Sequence, residues 1–265
     1  MLYGDTVGKI FERLYRDRLW VLPDVSIKLL DLVRPILNSV LVQEVKKGGV
    51  FDWTEPKLKL GTRSVDEVER EIRETIPRGI RSIKKHCLIG MEANAEVVLD
   101  TIVEGKKLKG RADFIIRRIR PHNDLVIVDG KGSRWREKYT DDRQLLWYAM
   151  LYWLRYGVIP DRLGFLFWRY DPEQSMDWKG VTQEELESLK SSVLNTFKEI
   201  EQAEKNLEQD SSILGLFFQA NPRFSCKFCD YLPLCSEGAK YFSEIFSPQI
   251  FGNWQVGVED DDISF

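Results

Sequence analysis

The sequence predicts a mixed α/β fold: a central sheet flanked by helices, with a helical N-terminal region. Three observations carry this. Helical periodicity runs through the N-terminal quarter, strand-like runs separated by turn signals fall between residues 96 and 128, and a helix at 139–156 precedes a fourth strand.

Within residues 1–58, Val7, Ile10, Phe11 and Leu14 mark one apolar helix face, and Ile27, Leu30, Val33, Ile36, Leu37 and Val40 mark another. Ser64-Val65-Asp66-Glu67 is a capping box, because Ser at the cap and Glu three residues on each satisfy an orphan backbone donor. Pro77 is expected to end that helix, giving a span of 65–76. The runs Glu96–Leu99 and Thr101–Val103 read as one strand, Glu104-Gly105-Lys106 as a turn, and Leu108–Ile119 as the returning strand. Pro121-His122-Asn123-Asp124 makes a second turn. Leu125-Val126-Ile127-Val128 is continuously apolar, as a central strand covered on both faces must be. The helix at 139–156 and a strand at Arg162–Tyr170 follow, and Thr182-x-x-Glu185 caps a long charged helix reaching about residue 208. The core is therefore expected to be βββαβ. One domain over 1–255 is expected, comprising a helical part at 1–90, a core at 91–172, and a long helix with a cysteine cluster at 173–255; an acidic tail, 256–265, ends the chain.

Composition narrows the function. With 43% hydrophobic and 31% charged residues and a net charge of −3, neither general disorder nor a uniformly basic coat fits, so a polyanion would have to meet a local basic patch. The longest apolar stretch, Leu145–Leu154, is about half of what a membrane helix needs, and the N-terminus lacks an apolar signal core. A cytoplasmic protein without membrane contact is expected.

Asp113 lies in Gly110-Arg111-Ala112-Asp113 on the second strand, and Asp129-Gly130-Lys131 ends the third. A strand's side-chain period of two projects Asp129 and Lys131 from one face, which Asp113 reaches if the two strands pair. Two carboxylates that hold a hard divalent cation, and an ammonium beside them, are what phosphodiester hydrolysis needs. Alone, an Asp-x-Lys also suits any exposed strand end. Gln144 and Tyr148 add weight, because their i,i+4 spacing on the next helix aims both side chains one way.

The order Gly-x-x-Asp, Asp-x-Lys, Gln-x-x-x-Tyr, then Cys-x2-Cys-x5-Cys, over residues 87–235, resembles the PD-(D/E)XK nuclease superfamily. It is most similar to the RecB-type branch with an iron–sulfur cluster, which includes CRISPR-adaptation exonucleases and recombination helicase-nuclease domains. The resemblance implies a restriction-endonuclease-like sheet and a metal-dependent DNA nuclease. Asp113, Asp129 and the Gly130 carbonyl would be ligands for Mg²⁺ or Mn²⁺, Lys131 the catalytic lysine, and Gln144 and Tyr148 site organisers. An earlier acid is also implied: Glu12, preferred on its Gly8-x-x-x-Glu12 spacing, or Glu96 on the first strand.

Cys226, Cys229 and Cys235 crowd into ten residues while Cys87 stands alone, and clustered thiols of this kind select zinc or an iron–sulfur cluster. Zinc completed by Cys87 or His86 satisfies the spacing; the resemblance implies a [4Fe-4S] cluster with Cys87 as fourth ligand. After Lys131, Arg134, Trp135, Arg136, Lys138 and Arg143 mix cations with a ring, which suits the phosphates and unstacked bases of single-stranded DNA. The acidic run Glu259–Asp262 before the terminal Phe265 resembles the tip of single-stranded-DNA-binding proteins, and is expected to recruit repair partners, a helicase among them, or to act as a solubilising tail. The function expected is exonucleolytic digestion of single-stranded DNA or DNA ends in recombination, repair or CRISPR adaptation. The alternative is a non-catalytic nucleic-acid-binding subunit.

Overall fold

A computed structural model describes residues 2–46, 59–60, 63–90, 92–119, 122–139, 141–209, 235, 237–238 and 240. Two compact units divide the chain, residues 1–194 and 195–265.

In the first unit, α1 (Leu2–Arg16), α2 (Val25–Asp31) and α3 (Val33–Lys46) form the N-terminal helical part. Val7, Ile10, Phe11 and Leu14 are buried as their spacing predicts. The second stripe is less regular: Val33, Leu37 and Val40 are buried, but Ile27 is 62% exposed. The cause is a break at Leu32 between α2 and α3, which rotates the two faces out of register. A two-stranded ribbon, β1 (Lys59–Leu60) with β2 (Arg63–Ser64), leads into α4 (Val65–Lys85). The capping box forms, with Glu67 N donating to Ser64 Oγ at 3.2 Å and Ser64 N donating to Glu67 Oε2 at 2.7 Å.

Pro77 does not end α4; the helix runs on to Lys85. A proline removes one helical hydrogen bond and crowds the preceding turn. Burial of Ile76, Ile80 and Ile83 beyond and around it offsets that cost.

The main sheet has the order β3-β4-β5-β6-β7: β3 (Ala93–Val103), β4 (Lys106–Arg117), β5 (Leu125–Lys131), β6 (Arg162–Phe167) and β7 (Met176–Lys179). All neighbours pair antiparallel except β5 with β6. A tight turn joins β3 to β4, with Glu104 and Gly105 both at positive φ, 49° and 76°, as a primed hairpin turn requires. The parallel β5–β6 pair is linked by a short 3-10 turn (Arg136–Tyr139) and α5 (Arg143–Tyr156), which packs on the sheet. The expected βββαβ order is thus present and gains a fifth strand, β7. Helix α6 (Gln183–Gln209) starts at the predicted cap, where Glu185 N donates to Thr182 Oγ1 at 3.2 Å. Among the described residues no helix is long and apolar enough to cross a membrane.

Two tight contacts fix the core around β5. Phe11 of α1 stacks on Trp168 at 4.1 Å and 7°, and a methyl at Gly79 of α4 would lie 2.3 Å from the same Phe11 ring. Trp168 in turn lies where a side chain on Gly130 would meet its ring nitrogen at 2.8 Å. Elsewhere Gly90 approaches β4 so closely that a Cβ would stand 2.1 Å from the Arg117 carbonyl oxygen. Backbone cannot yield there as a flexible side chain would, so Gly90→Ala is expected to destabilise the fold by about 3 kcal/mol. Urea unfolding checks this, and a midpoint equal to that of wild type would show that the loop can withdraw freely.

Candidate active site

The antiparallel register of β4 and β5 pairs Phe114 with Val128, so one further step along both strands brings Asp113 opposite Asp129. The β3–β4 register pairs Ala95 with Phe114 and Val97 with Ala112, which leaves Glu96 opposite Asp113. Three acids thus stand in a row across three strands. Glu96 has φ +52°, a left-handed backbone that interrupts the ladder at its position.

Asp129 is 3% exposed. Burial, and then the neighbouring charge of Asp113, push its carboxyl up to about 6, although Lys131 opposes the shift. Its Oδ2 lies 2.5 Å from Lys131 Nζ yet accepts no aligned hydrogen bond. Asp113 is raised too, chiefly by burial; the Gly130 amide, which donates to Asp113 Oδ2 at 2.9 Å, works the other way. Glu96 is raised by burial against the pull of Arg111, which it meets at 2.8 Å, and the charges of Asp113 and Glu12 add to the rise. Two, and at the margin three, carboxylates therefore crowd one another in a poorly solvated place. That is an energetic cost which folding does not require, and it is the electrostatic condition that a divalent cation relieves.

Lys131 Nζ also donates to Gln144 Oε1 at 2.8 Å and lies 5.2 Å from the centre of the Phe165 ring. Gln144 Nε2 then donates to the Tyr148 hydroxyl at 3.0 Å. Burial raises the Tyr148 hydroxyl, the Gln144 bond opposes this, and the charges of Asp129 and Asp113 add to the rise. The side chains expected from spacing on two strands and one helix therefore form one connected set, Asp113, Asp129, Lys131, Gln144 and Tyr148.

Other candidates sit differently. Glu12 is on α1 and pairs with Arg16 at 2.9 Å; its charge is felt at Glu96. Gly130 contributes its amide to Asp113, and Trp168 excludes any larger residue there. Arg134 pairs with Glu71 at 2.7 Å, and Arg143 pairs with Asp141. Trp135 is 57% exposed. Arg136 is turned to β7, where it grips Asp177 and the Met176 carbonyl and lies over Phe167 and Tyr170. Lys138 is in the 3-10 turn and its side chain is outside the described residues. Phe165 and Trp168, the aromatic supports of the lysine and of Gly130, carry no motif that singles them out in the sequence. A parallel register of β5 with β6 would have pointed to Phe165, which pairs with Asp129.

Cys87 follows α4 at φ +52° and is half-buried. Cys235 belongs to the second unit, where its sulfur accepts the Gly238 amide at 3.3 Å. Cys226, Cys229 and the acidic tail lie outside the described residues.

Among the described residues no three His, Cys, Asp or Glu side chains converge tightly enough to cage a metal by themselves. The donor set still fits a hard cation. Asp113 and Asp129 supply anionic oxygens, one of them buried without an aligned donor, and Mg²⁺ commonly keeps several waters and takes only one or two carboxylates.

A mixed sheet with helices on its faces, and an acid-acid-lysine row at the exit of its central strand, define a restriction-endonuclease-like protein. The chain belongs to the PD-(D/E)XK nuclease superfamily, whose family model matches residues 2–236. Members of that superfamily are mostly metal-dependent nucleases, usually with Mg²⁺ or Mn²⁺. No curated protein matches the chain. Among solved structures, that of SSO0001 is 20% identical, with 66% of this chain and 75% of that one covered at a TM-score of 0.33. Protein VC1899 from Vibrio cholerae is 15% identical, with 74% and 57% covered at 0.27.

Proposed function

We propose that the protein is a divalent-metal-dependent DNA nuclease that digests single strands or exposed ends, with Asp113, Asp129 and Lys131 as its reaction centre. One observation carries the reading: a buried and a half-buried carboxylate face each other across β5 and β4 with both pKa values raised, and one ammonium bridges from Asp129 to the Gln144–Tyr148 pair. A bound Mg²⁺ or Mn²⁺ supplies Lewis acidity toward water and the phosphoryl oxygens. Asp113 and Asp129 would hold it, and the Gly130 amide fixes the rotamer of Asp113. Lys131, held between Asp129 and Gln144, would offer its charge to the attacking water and to the oxygens of the scissile phosphate. Gln144 keeps that ammonium in position through its own bond to Tyr148. Glu96, opposite Asp113 in the strand register, would supply a further oxygen ligand, with Glu12 on α1 as the alternative.

The solvent-exposed Trp135, following Arg134, supports an unpaired substrate, since an exposed ring stacks a base and a duplex hides its bases. Digestion of end-labelled single- and double-stranded DNA with Mg²⁺ or Mn²⁺ tests the assignment. Metal-dependent cutting with preference for the single strand is expected, and the product ladder separates exonuclease from endonuclease. A folded protein that cuts neither substrate would sink the reading in favour of a binding subunit.

Cys87, Cys226, Cys229 and Cys235 are proposed to carry a [4Fe-4S] cluster, which would place the chain in the RecB-type branch. The amide donated to the Cys235 sulfur is the kind of support a metal-bound thiolate receives. Anaerobically purified protein is expected to be brown, with broad absorbance near ~400 nm that Cys87→Ser diminishes. Colourless protein containing zinc would replace the cluster with a zinc site.

A further inference from the structure

Beside the reaction centre, Arg78, Arg134 and Arg169 line a concave pocket of about 280 Å³ together with Glu71, Glu74, Thr75 and Tyr170. One wall is the segment directly after Lys131. Arg169 Nε donates to the Gly132 carbonyl at 2.6 Å, and the Tyr170 hydroxyl donates to the Arg134 carbonyl at 2.9 Å. The opposite wall is α4, from which Arg78 donates to the Arg169 carbonyl at 2.8 Å. Behind the pocket, Tyr3 shares a 2.7 Å hydrogen bond with Thr75, and the Arg169 guanidinium stacks on its ring at 3.5 Å. Burial raises the Tyr3 hydroxyl, while the Thr75 bond and the charges of Arg169, Arg78 and Arg134 pull it back, so all three cations act on one point.

The lining itself carries three guanidinium groups against two carboxylates, with the exposed Asp171 3.8 Å from Arg78. Glu71 is the group now holding it together, since its Oε1 takes both Arg134, at 2.7 Å, and Arg169. A carboxylate oxygen shared by two arginines carries the charge, and occupies the place, that an anionic phosphate oxygen would take. Three residues of chain keep the Cα atoms of Arg134 and Lys131 within about 10 Å, the range of the next phosphates along a strand. Trp135 then follows as a ring for the attached base.

We propose that Arg78, Arg134 and Arg169, with Thr75 and Tyr170, form the pocket for a backbone phosphate of the bound strand, and that Glu71 closes it until the phosphate displaces its carboxylate. This rests on the nuclease reading and names how that site grips its substrate. Fluorescence anisotropy with a 3′-labelled oligothymidylate, in chelator so that no metal contributes, tests it. Arg78→Gln is expected to weaken binding about tenfold and to lower the slope of log affinity against log salt by about 0.7, the loss of one phosphate contact on a single strand. Glu71→Gln is expected to tighten binding about threefold or more, because it removes the competing charge. Wild-type affinity in both variants overturns the proposal; if Arg78→Gln fails to fold, Glu71→Gln decides it alone. Equal binding of 5′-phosphorylated and 5′-hydroxyl oligonucleotides is expected. A preference for the phosphorylated end that Arg78→Gln abolishes would overturn the backbone assignment in favour of an end-recognition pocket. Arg78-dependent binding without cutting would uphold the pocket and sink the nuclease, whereas normal cutting with binding untouched by either variant would do the reverse.

Discussion

Lys131→Ala is expected to lower metal-dependent DNA cleavage by about a hundred- to a thousandfold, the usual cost of removing one charge-stabilising donor from a reaction centre. The ammonium meets Asp129, is tethered by Gln144 and sits over Phe165. Arg111, the next basic group near the carboxylates, is engaged with Glu96. Removing Lys131 should also leave Asp113 and Asp129 facing each other with less compensation, and so raise both carboxyls further in the metal-free protein. Binding of an oligonucleotide in chelator should stay within about twofold of wild type, because the phosphate grip proposed for the arginines is elsewhere. A variant that cuts within about fivefold of wild type would move the chemistry away from this lysine. Gln144→Ala should cost less, about tenfold, since it loosens the lysine without removing it.

Much of this site is legible in the residues themselves. Asp129, Gly130 and Lys131 end an apolar run, and the burial of Leu125 to Val128 on both faces is what such a run announces. Turn chemistry marks the β3–β4 hairpin, and i,i+4 spacing marks the Gln144–Tyr148 pair, because both depend on neighbours in sequence. Local pattern fails wherever the outcome depends on packing between distant segments. Pro77 reads as a helix stop, yet the isoleucines around it are held by the core and the helix continues. β7 is four residues of mixed polarity, Met176-Asp177-Trp178-Lys179, and is a strand because β6 offers it an edge. The arginine pocket has no motif at all, since Arg78, Arg134 and Arg169 come from a helix, a loop and the end of a strand region that meet only in the fold. Glu96 shows both sides: its strand is predicted by alternation and turn signals, but its place opposite Asp113 follows from register, and its left-handed backbone from nothing in the sequence.

The metal-free protein should become more stable, not less, when Asp129 is replaced by Asn. Asp113, Asp129 and Lys131 together carry one excess negative charge around the buried Asp129, and the substitution neutralises it while nearly preserving shape. The sign follows from linkage. The Asp129 carboxyl stands at about 6 in the folded protein, above its unfolded value of roughly 4, so the folded state holds the proton more tightly. Its contribution therefore falls as pH rises from about 4 to about 6 and stays flat above that, a loss of about 3 kcal/mol that the uncharged amide does not suffer. Asp129→Asn is expected to melt about 5 °C higher than wild type at neutral pH in chelator, with the difference vanishing near pH 4. Adding Mn²⁺ should reverse the order, because a ligand that binds only the folded state stabilises wild type and finds one carboxylate too few in the variant. An unchanged or lower melting temperature for metal-free Asp129→Asn would mean that its pairing with Lys131 outweighs the crowding with Asp113. The carboxylate row would then be a structural ion pair rather than a site strained toward a cation.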